Sequence, residues 1–385
     1  MSESPVSGFL AGASGWCPHS PLWKVDWAAL DAEYEWIRNL RGCDQGTVHH
    51  AEGDVWTHTR MVCEALVSLP AWRALEEEHR CVLFAAALLH DVAKPACRRE
   101  PEEPGGHVEF PNHARRGAIM ARAILWRLGV PFTMREQICA LVRHHLKPFY
   151  LIERSDARRL ALEVSQTARC DSLALLAEAD ARGRICQDLD RLLDNIALFT
   201  EFCREQGCLD RPFPFPSDHT RFLYFQSGDR SPDFAPYEDL GAEVVLMSGL
   251  PGAGKDHWVR THLPGWPVVS LDELREELEV TPADEQGRVL NQARELARGY
   301  LRQGRPFVWN ATNLSRLVRG DCVRLFAGYR AKIRIVYVEV SEEVLAQQNR
   351  QRPSPVPRRV FEKLLLRWEV PDLTEAHSVD YRVSP

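Results

Sequence analysis

No run of eighteen apolar residues occurs anywhere in the 385-residue chain, and no basic segment followed by an apolar stretch opens it, so a membrane span and a secretory leader are both disfavoured. The expected compartment is the cytoplasm. None of the eleven cysteines is spaced C-x-x-C, which argues against a zinc ribbon and against a disulfide framework. They read as reduced, mostly buried thiols. There is no internal repeat, no low-complexity tract and no excess of positive charge; the net charge of -6 gives no overall attraction for nucleic acid or an anionic membrane. Contact with RNA or DNA has to come from local basic grooves. What is present is a globular composition, 45% hydrophobic and 26% charged, in a chain long enough for two domains with separate cores.

From about Trp27 to Phe202, apolar residues recur at three- and four-residue spacing, as in Cys81-Val-Leu-Phe-Ala-Ala-Ala-Leu-Leu-His90, so this half reads as all-helical. Between Gln206 and Leu240 come Pro212, Pro214, Pro216, Pro232 and Pro236 among several aromatics, which breaks helices and suits a packed connector. From Glu243 onward, short β-branched runs (Val244 to Met247, Val268 to Leu271, Pro306 to Trp309, Ile333 to Val340) alternate with amphipathic stretches, the pattern of a parallel sheet flanked by helices. The expected organisation is multidomain α and α/β: a helical domain over 1–205, a connector over 206–240 and a sheet domain over 241–385.

The first run of the sheet domain leads into Val244-Val-Leu-Met-Ser-Gly-Leu-Pro-Gly-Ala-Gly-Lys-Asp256, a glycine-rich loop closed by lysine. In a phosphate loop of this kind, starting at Gly249, the backbone N–H groups of Gly252, Ala253 and Gly254 turn inward onto phosphate oxygens. Lys255 then neutralises the β- and γ-phosphates of ATP or another NTP. Asp256 stands where a Ser or Thr hydroxyl usually binds Mg²⁺; it either ligates the ion or leaves it to the nucleotide and other side chains. A plain strand-to-helix turn is the alternative, and the full glycine spacing after an apolar run speaks against it. Asp272 and Arg275, three apart at a helix start, share one face. A carboxylate there can take the proton from an attacking hydroxyl, and an arginine can hold an anionic acceptor. Asn310 and Thr312 end the next run, where open α/β sheets bind ligands. Arg350 and Arg352, after the last run and a short helix, either form a solvated face or close over the transferring phosphate.

The helical half gathers His50, His58, His90-Asp91, His113, His144-His145 and Asp180, with Lys94 one turn beyond Asp91. Taken singly, each histidine is an ordinary core or surface residue. A His-Asp pair at the end of an apolar helix, however, is costly to bury unless a metal or hydrogen bonds satisfy it. Together these donors suit a divalent transition metal such as Mn, Fe, Co, Ni or Zn rather than an oxygen-only magnesium cage. Lys94 either contacts a phosphate or snorkels from the helix end.

The phosphate loop, Ser270-Leu-Asp-Glu-Leu-Arg275, Asn310-Ala-Thr-Asn313 and the late arginines resemble the 5'-OH polynucleotide kinase family over roughly Glu243 to Pro385. That resemblance implies Asp272 as general base, Arg275 on the acceptor's phosphate, and Arg350 and Arg352 as lid arginines. His58, His90-Asp91 and Asp180 resemble the H...HD...D set of the HD phosphohydrolase superfamily. The segments His50-Ala-Glu-Gly-Asp-Val-Trp-Thr-His58 and Ala179-Asp-Ala-Arg-Gly-Arg184 are similar to the HD domain of bacterial tRNA nucleotidyltransferases, over about Val48 to Gln187. This implies His58, His90, Asp91 and Asp180 as primary metal ligands, and His113 with one or both of His144 and His145 around a second metal. It also implies Lys94 at the phosphate and His50 as a supporting group.

A chain carrying both resembles the bifunctional HD-Pnk end-healing enzymes of bacteria. It implies hydrolysis of 2',3'-cyclic phosphate or 2'- or 3'-phosphate ends, NTP-dependent phosphorylation of 5'-OH ends, RNA or DNA ends as partners, and a separate RNA ligase acting next. Two rival readings stay open: a nucleotide phosphohydrolase fused to a small-molecule kinase, and a nucleotide-dependent switch or binding module in which Asp256 signals lost catalysis.

Overall fold

The computed structural model describes residues 16–384 except 47–49, 102–106, 229, 282–285 and 353–354. The opening residues read for a leader, Val48 and Pro353 lie outside the described residues. The chain divides into two compact units, Met1–Phe213 and Pro214–Pro385. Among the described residues no helix is long and apolar enough to cross a membrane.

The first unit is helical. Its principal helices are α1 (Val55–Ser68), α2 (Glu77–Leu89), α3 (His113–Arg127), α4 (Phe132–His144), α5 (Cys170–Arg182) and α6 (Leu189–Glu205). Every residue from Cys81 to Leu89 is buried, so α2 has no solvent face over that length and forms the centre of the unit, packed by α1, α4 and α5. Its C-terminal end delivers His90 and Asp91 into the interior. Helix α1 begins where the Asp54 carboxylate accepts from the Thr57 N–H at 2.9 Å, which leaves His58 one turn in and fully buried. Helix α5 ends at Gly183, where a Cβ would lie 2.6 Å from the Val62 backbone nitrogen of α1. Only glycine permits that approach.

The second unit is built on a parallel sheet of β1 (Glu243–Ser248), β2 (Val268–Ser270), β3 (Phe307–Asn310), β4 (Lys332–Glu339) and β5 (Ser378–Val383), in the spatial order β2-β3-β1-β4-β5. Val244 pairs with Phe307 on one side and Ile333 on the other, which places the β-branched runs in adjacent buried strands. Around them run α7 (Asp218–Gln226), α8 (Lys255–His262), α9 (Leu271–Glu277), α10 (Gly287–Arg302), α11 (Arg316–Ala327), α12 (Glu342–Arg350) and α13 (Arg358–Leu365). Val289, Ala293, Ala297 and Leu301 recur every four residues along α10 and pack with Leu246, Trp309 and Ile335 in one core. Phe222 of α7, within the proline- and aromatic-rich stretch, joins the same core.

Candidate active sites

In the helical unit, four imidazoles turn toward one carboxylate. His90 Nδ1 lies 2.7 Å from the Ala87 carbonyl, His113 Nδ1 2.8 Å from that of Phe110, and His145 Nδ1 2.8 Å from that of Val142. A carbonyl only accepts, so each Nδ1 carries the proton; burial lowers His113 and His145 and leaves their Nε2 atoms as lone pairs, whereas Asp91 raises His90 against burial. The three Nε2 atoms lie 3.1, 3.5 and 3.8 Å from Asp91 oxygens, and His58 Nε2 lies 3.7 Å from Asp91 and 3.2 Å from Asp180. His58 and His90 present Nε2 to each other at 3.3 Å. Asp91 Oδ1 and His113 Nε2 are buried without a hydrogen-bond partner. Acceptors facing acceptors in a dry site are costly unless a cation lies among them. The donor sets His58, His90, Asp91 and Asp91, His113, His145 each converge closely enough to share one ion.

The carboxylates and two of the imidazoles are held in the forms that ligate a metal, and His90 has to give up a proton to do so. Burial works to raise the Asp91 carboxyl, but His90 and Lys94 outweigh it and hold it well below the usual carboxylate range. Burial, helped by His90, pushes His145 down to about 3, and burial also lowers His113. Asp180 is opposed by burial but held low by Arg184, which grips both its oxygens at 2.9 and 2.7 Å. Lys94 Nζ lies 2.6 Å from Asp91 and donates to Gln45 at 2.5 Å, almost wholly buried. His144 turns elsewhere: its Nε2 is 3.2 Å from the Thr167 hydroxyl, and among the described residues it belongs to none of the convergent donor groups.

Three participants escaped the sequence reading. Glu52 accepts from His50 Nδ1 at 2.7 Å, His58 Nδ1 at 2.9 Å and the Ile185 N–H at 2.9 Å, and so fixes the orientation of His58. Burial would raise its carboxyl, but the hydrogen bonds from His50 and His58 hold it low. Gln45 and Arg184 are the other two. The signal for Glu52 lay inside the His50-to-His58 segment; nothing in the pattern around Gln45 marked it.

In the sheet unit the loop after β1 lines a cavity of about 350 Å³ with Asp272 of α9 and the end of β3. Gly249 needs its lack of a side chain: φ is +146°, and a Cβ would lie 2.2 Å from the Val338 carbonyl oxygen. Lys255 Nζ donates to the Gly249 and Leu250 carbonyls at 3.0 and 2.9 Å, folded back along its own loop. Burial pushes Lys255 down to about 8, against the pull of Asp256 and Asp272. Asp256 Oδ1 accepts from Asn310 Nδ2 at 2.7 Å. At the end of β2 the Ser270 hydroxyl caps α9 by accepting from the Glu273 N–H, which puts Asp272 and Arg275 on one face as an ion pair. Arg275 also donates to Gln286 at 2.7 Å.

The cavity is lined by Gly252, Gly254, Lys255, Asp256, Asp272, Asn310, Thr312 and Arg352 of the residues singled out by sequence, and by His257, Arg260 and Gln348, which were not. Gly249, Ala253, Arg275 and Arg350 do not line it. Asn313, from the same N-A-T-N segment, is structural: its Nδ2 donates to the Met247 carbonyl at 2.7 Å and ties the two loops together.

Comparison with known proteins agrees with this division. The HD domain family matches residues 55–192, and a family described as the AAA domain matches residues 244–371. The chain is 41% identical over 108 residues to the CC-adding tRNA nucleotidyltransferase of Thermus thermophilus, covering 28% of this chain and 23% of that protein. It is 30% identical over 158 residues to the multifunctional CCA protein of Variovorax paradoxus, covering 39% and 34%. The matched stretches thus span about a quarter to a third of these relatives' own lengths. A solved sugar kinase from Janibacter sp. HTCC2649 is similar at 16% identity and a TM-score of 0.30, covering 37% of this chain and 87% of that one. The chain joins an HD domain to a P-loop domain of the AAA type.

Proposed function

We propose that the protein heals broken RNA ends: the HD unit hydrolyses 2',3'-cyclic phosphate or 2'- and 3'-phosphate termini, and the P-loop unit transfers the γ-phosphoryl group of an NTP to a 5'-OH. The observation that carries the proposal is the presence, in one cavity, of the phosphate-loop lysine Lys255 and the solvent-open carboxylate Asp272, paired to Arg275. A carboxylate beside a bound γ-phosphate can take the proton of an attacking hydroxyl. The likeness to proteins named for adding CC to tRNA favours an RNA end as substrate.

In the P-loop unit the amides of Gly252 to Gly254 and Lys255 hold the NTP phosphates. Asp272 takes the proton from the attacking hydroxyl, Arg275 orients Asp272 and holds the acceptor's adjacent phosphate, and Arg352 covers the transferring group. Asp256, fixed by Asn310 through one oxygen, would hold the Mg²⁺ that accompanies the nucleotide, which would supply charge neutralisation on the phosphates.

In the HD unit His58, His90, Asp91 and Asp180 would hold one divalent transition metal, and His113 and His145 with Asp91 a second, supplying an acidified water for attack on phosphorus. Glu52 orients His58, Arg184 orients Asp180, and Lys94, fixed by Gln45, neutralises the phosphate. The test of the kinase half is transfer of labelled γ-phosphate from ATP to a 5'-OH RNA oligonucleotide, lost in Asp272→Ala. Transfer to sugars or nucleosides but to no RNA or DNA would contradict the proposal.

A further inference from the structure

Three cysteines that neither active site uses meet in the interior of the helical unit. Cys170 is the first residue of α5, Cys203 lies near the end of α6, and Cys208 follows the turn that ends α6. Their Sγ atoms all lie within 4.8 Å of one another, and each residue has 0% exposure. Among the described residues no other cysteine belongs to such a group.

Local structure drives the convergence. Gly207, at φ +68°, lets the chain reverse, the Cys208 N–H donates to the Cys203 carbonyl at 2.9 Å, and the Gly207 N–H to that of Arg204 at 2.9 Å. The Asp171 N–H then donates to the Leu209 carbonyl at 2.9 Å, tying the first turn of α5 to the same loop. Apolar packing accounts for buried thiols one at a time; it gives no reason for three sulfurs from two helices and a turn to share one point. Sulfurs sharing one ion at a metal–thiolate bond of about 2.3 Å sit about 3.8–4.0 Å apart, within the observed limit.

We propose that Cys170, Cys203 and Cys208 form a three-thiolate site for one soft d¹⁰ cation, Zn²⁺, Cd²⁺ or Cu⁺, which clips the start of α5 to the end of α6. Binding displaces the protons of the thiols still protonated. The sulfur-only donor set selects a softer ion than the imidazole–carboxylate cluster does, so one helical unit holds two kinds of metal chemistry. Because α5 carries Asp180 near its other end, the clip also fixes the helix that presents that carboxylate.

The test is titration of the full reduced chain with Cd²⁺. A sulfur-to-cadmium charge-transfer band in the ultraviolet is expected to saturate at one equivalent, to persist in His58→Ala and to vanish in Cys208→Ser. Absence of the band in the unmodified protein, or its full retention in Cys208→Ser, would overturn the proposal. Should Cys208→Ser fail to fold, X-ray absorption of the cadmium-loaded unmodified chain decides: a shell of three sulfurs is expected, and a shell of nitrogen and oxygen alone overturns it.

Discussion

His58 Nε2 and His90 Nε2 face each other across 3.3 Å, each ring having its Nδ1 already turned to an acceptor. Without a metal, one of the two Nε2 atoms has to carry a proton to satisfy that contact, and a cation between them takes the proton's place. Divalent transition metal is therefore expected to stabilise the folded chain by about 2.7 kcal/mol at a hundredfold excess over its dissociation constant. Thermal unfolding with Mn²⁺, Co²⁺ or Ni²⁺ should show an upward shift in Tm that disappears in Asp91→Ala; an equal shift in that variant would count against the ligand set.

Adjacent histidines at the end of α4 should differ sharply. His145 faces Asp91, whereas His144 faces Thr167. Metal-dependent phosphate release is expected to fall at least about 10-fold in His145→Ala and to stay close to the unmodified rate in His144→Ala. Initial rates at saturating metal are the readout, and the reverse order would show the phase of α4 to be misassigned.

Lys255 supplies a pH signature. Burial lowers it to about 8, and bound phosphate would raise it again. Above about pH 8 the free protein carries a neutral lysine that must take up a proton when nucleotide binds, so affinity falls as pH rises through that value. Calorimetry at pH 9 in two buffers of different ionisation enthalpy should report uptake approaching one proton per nucleotide, and uptake should be near zero at pH 6.5. Equal, negligible uptake at both would mean that Lys255 is already charged in the free loop.

The loop glycines should not be interchangeable. Gly249→Ala drives a Cβ to 2.2 Å from the Val338 carbonyl oxygen and is expected to cost on the order of 3 kcal/mol or more. Gly254→Ala meets nothing within 4 Å at φ +95°, so only the left-handed backbone penalty of about 1–2 kcal/mol applies. Chemical denaturation of the two variants tests the difference.

Much of the fold was legible because each unit follows one period. Four of the five strands lie within a residue or two of their β-branched runs, and α2 was visible as an unbroken apolar stretch. Strand β5 was not, because Ser378, Asp380 and Arg382 at a half-exposed sheet edge leave no apolar run to read. Helix α7 hid behind prolines at 212, 214 and 216 that precede its first turn rather than interrupt it.

The sites show the same division. Motif spacing brought out His58, His90, Asp91 and the loop ending in Lys255, since these lie at helix or strand ends within short segments. Both His144 and His145 are buried, and which of them faces Asp91 depends on where α4 stops, since a single residue of phase turns a side chain by about 100°. Glu52 and Arg184 lie inside the motif segments and pair locally with His50, His58 and Asp180, but their supporting roles show only in the contacts; Gln45 meets Lys94, 49 residues on, and no local pattern encodes that pairing. The cysteine cluster was hidden for the same reason: Cys170 meets Cys203 and Cys208 only after α5 and α6 have packed.

The most direct measurement uses one RNA bearing a 5'-OH and a 2',3'-cyclic phosphate, incubated with ATP, Mg²⁺ and a transition metal, with both ends followed in the unmodified protein, Asp91→Ala and Asp272→Ala. Both ends should be converted by the unmodified protein, only the 5' end by Asp91→Ala, and only the 3' end by Asp272→Ala. An RNA left unchanged at both ends by the unmodified protein would contradict RNA end healing, and loss of both conversions in either single, folded variant would contradict two independent sites.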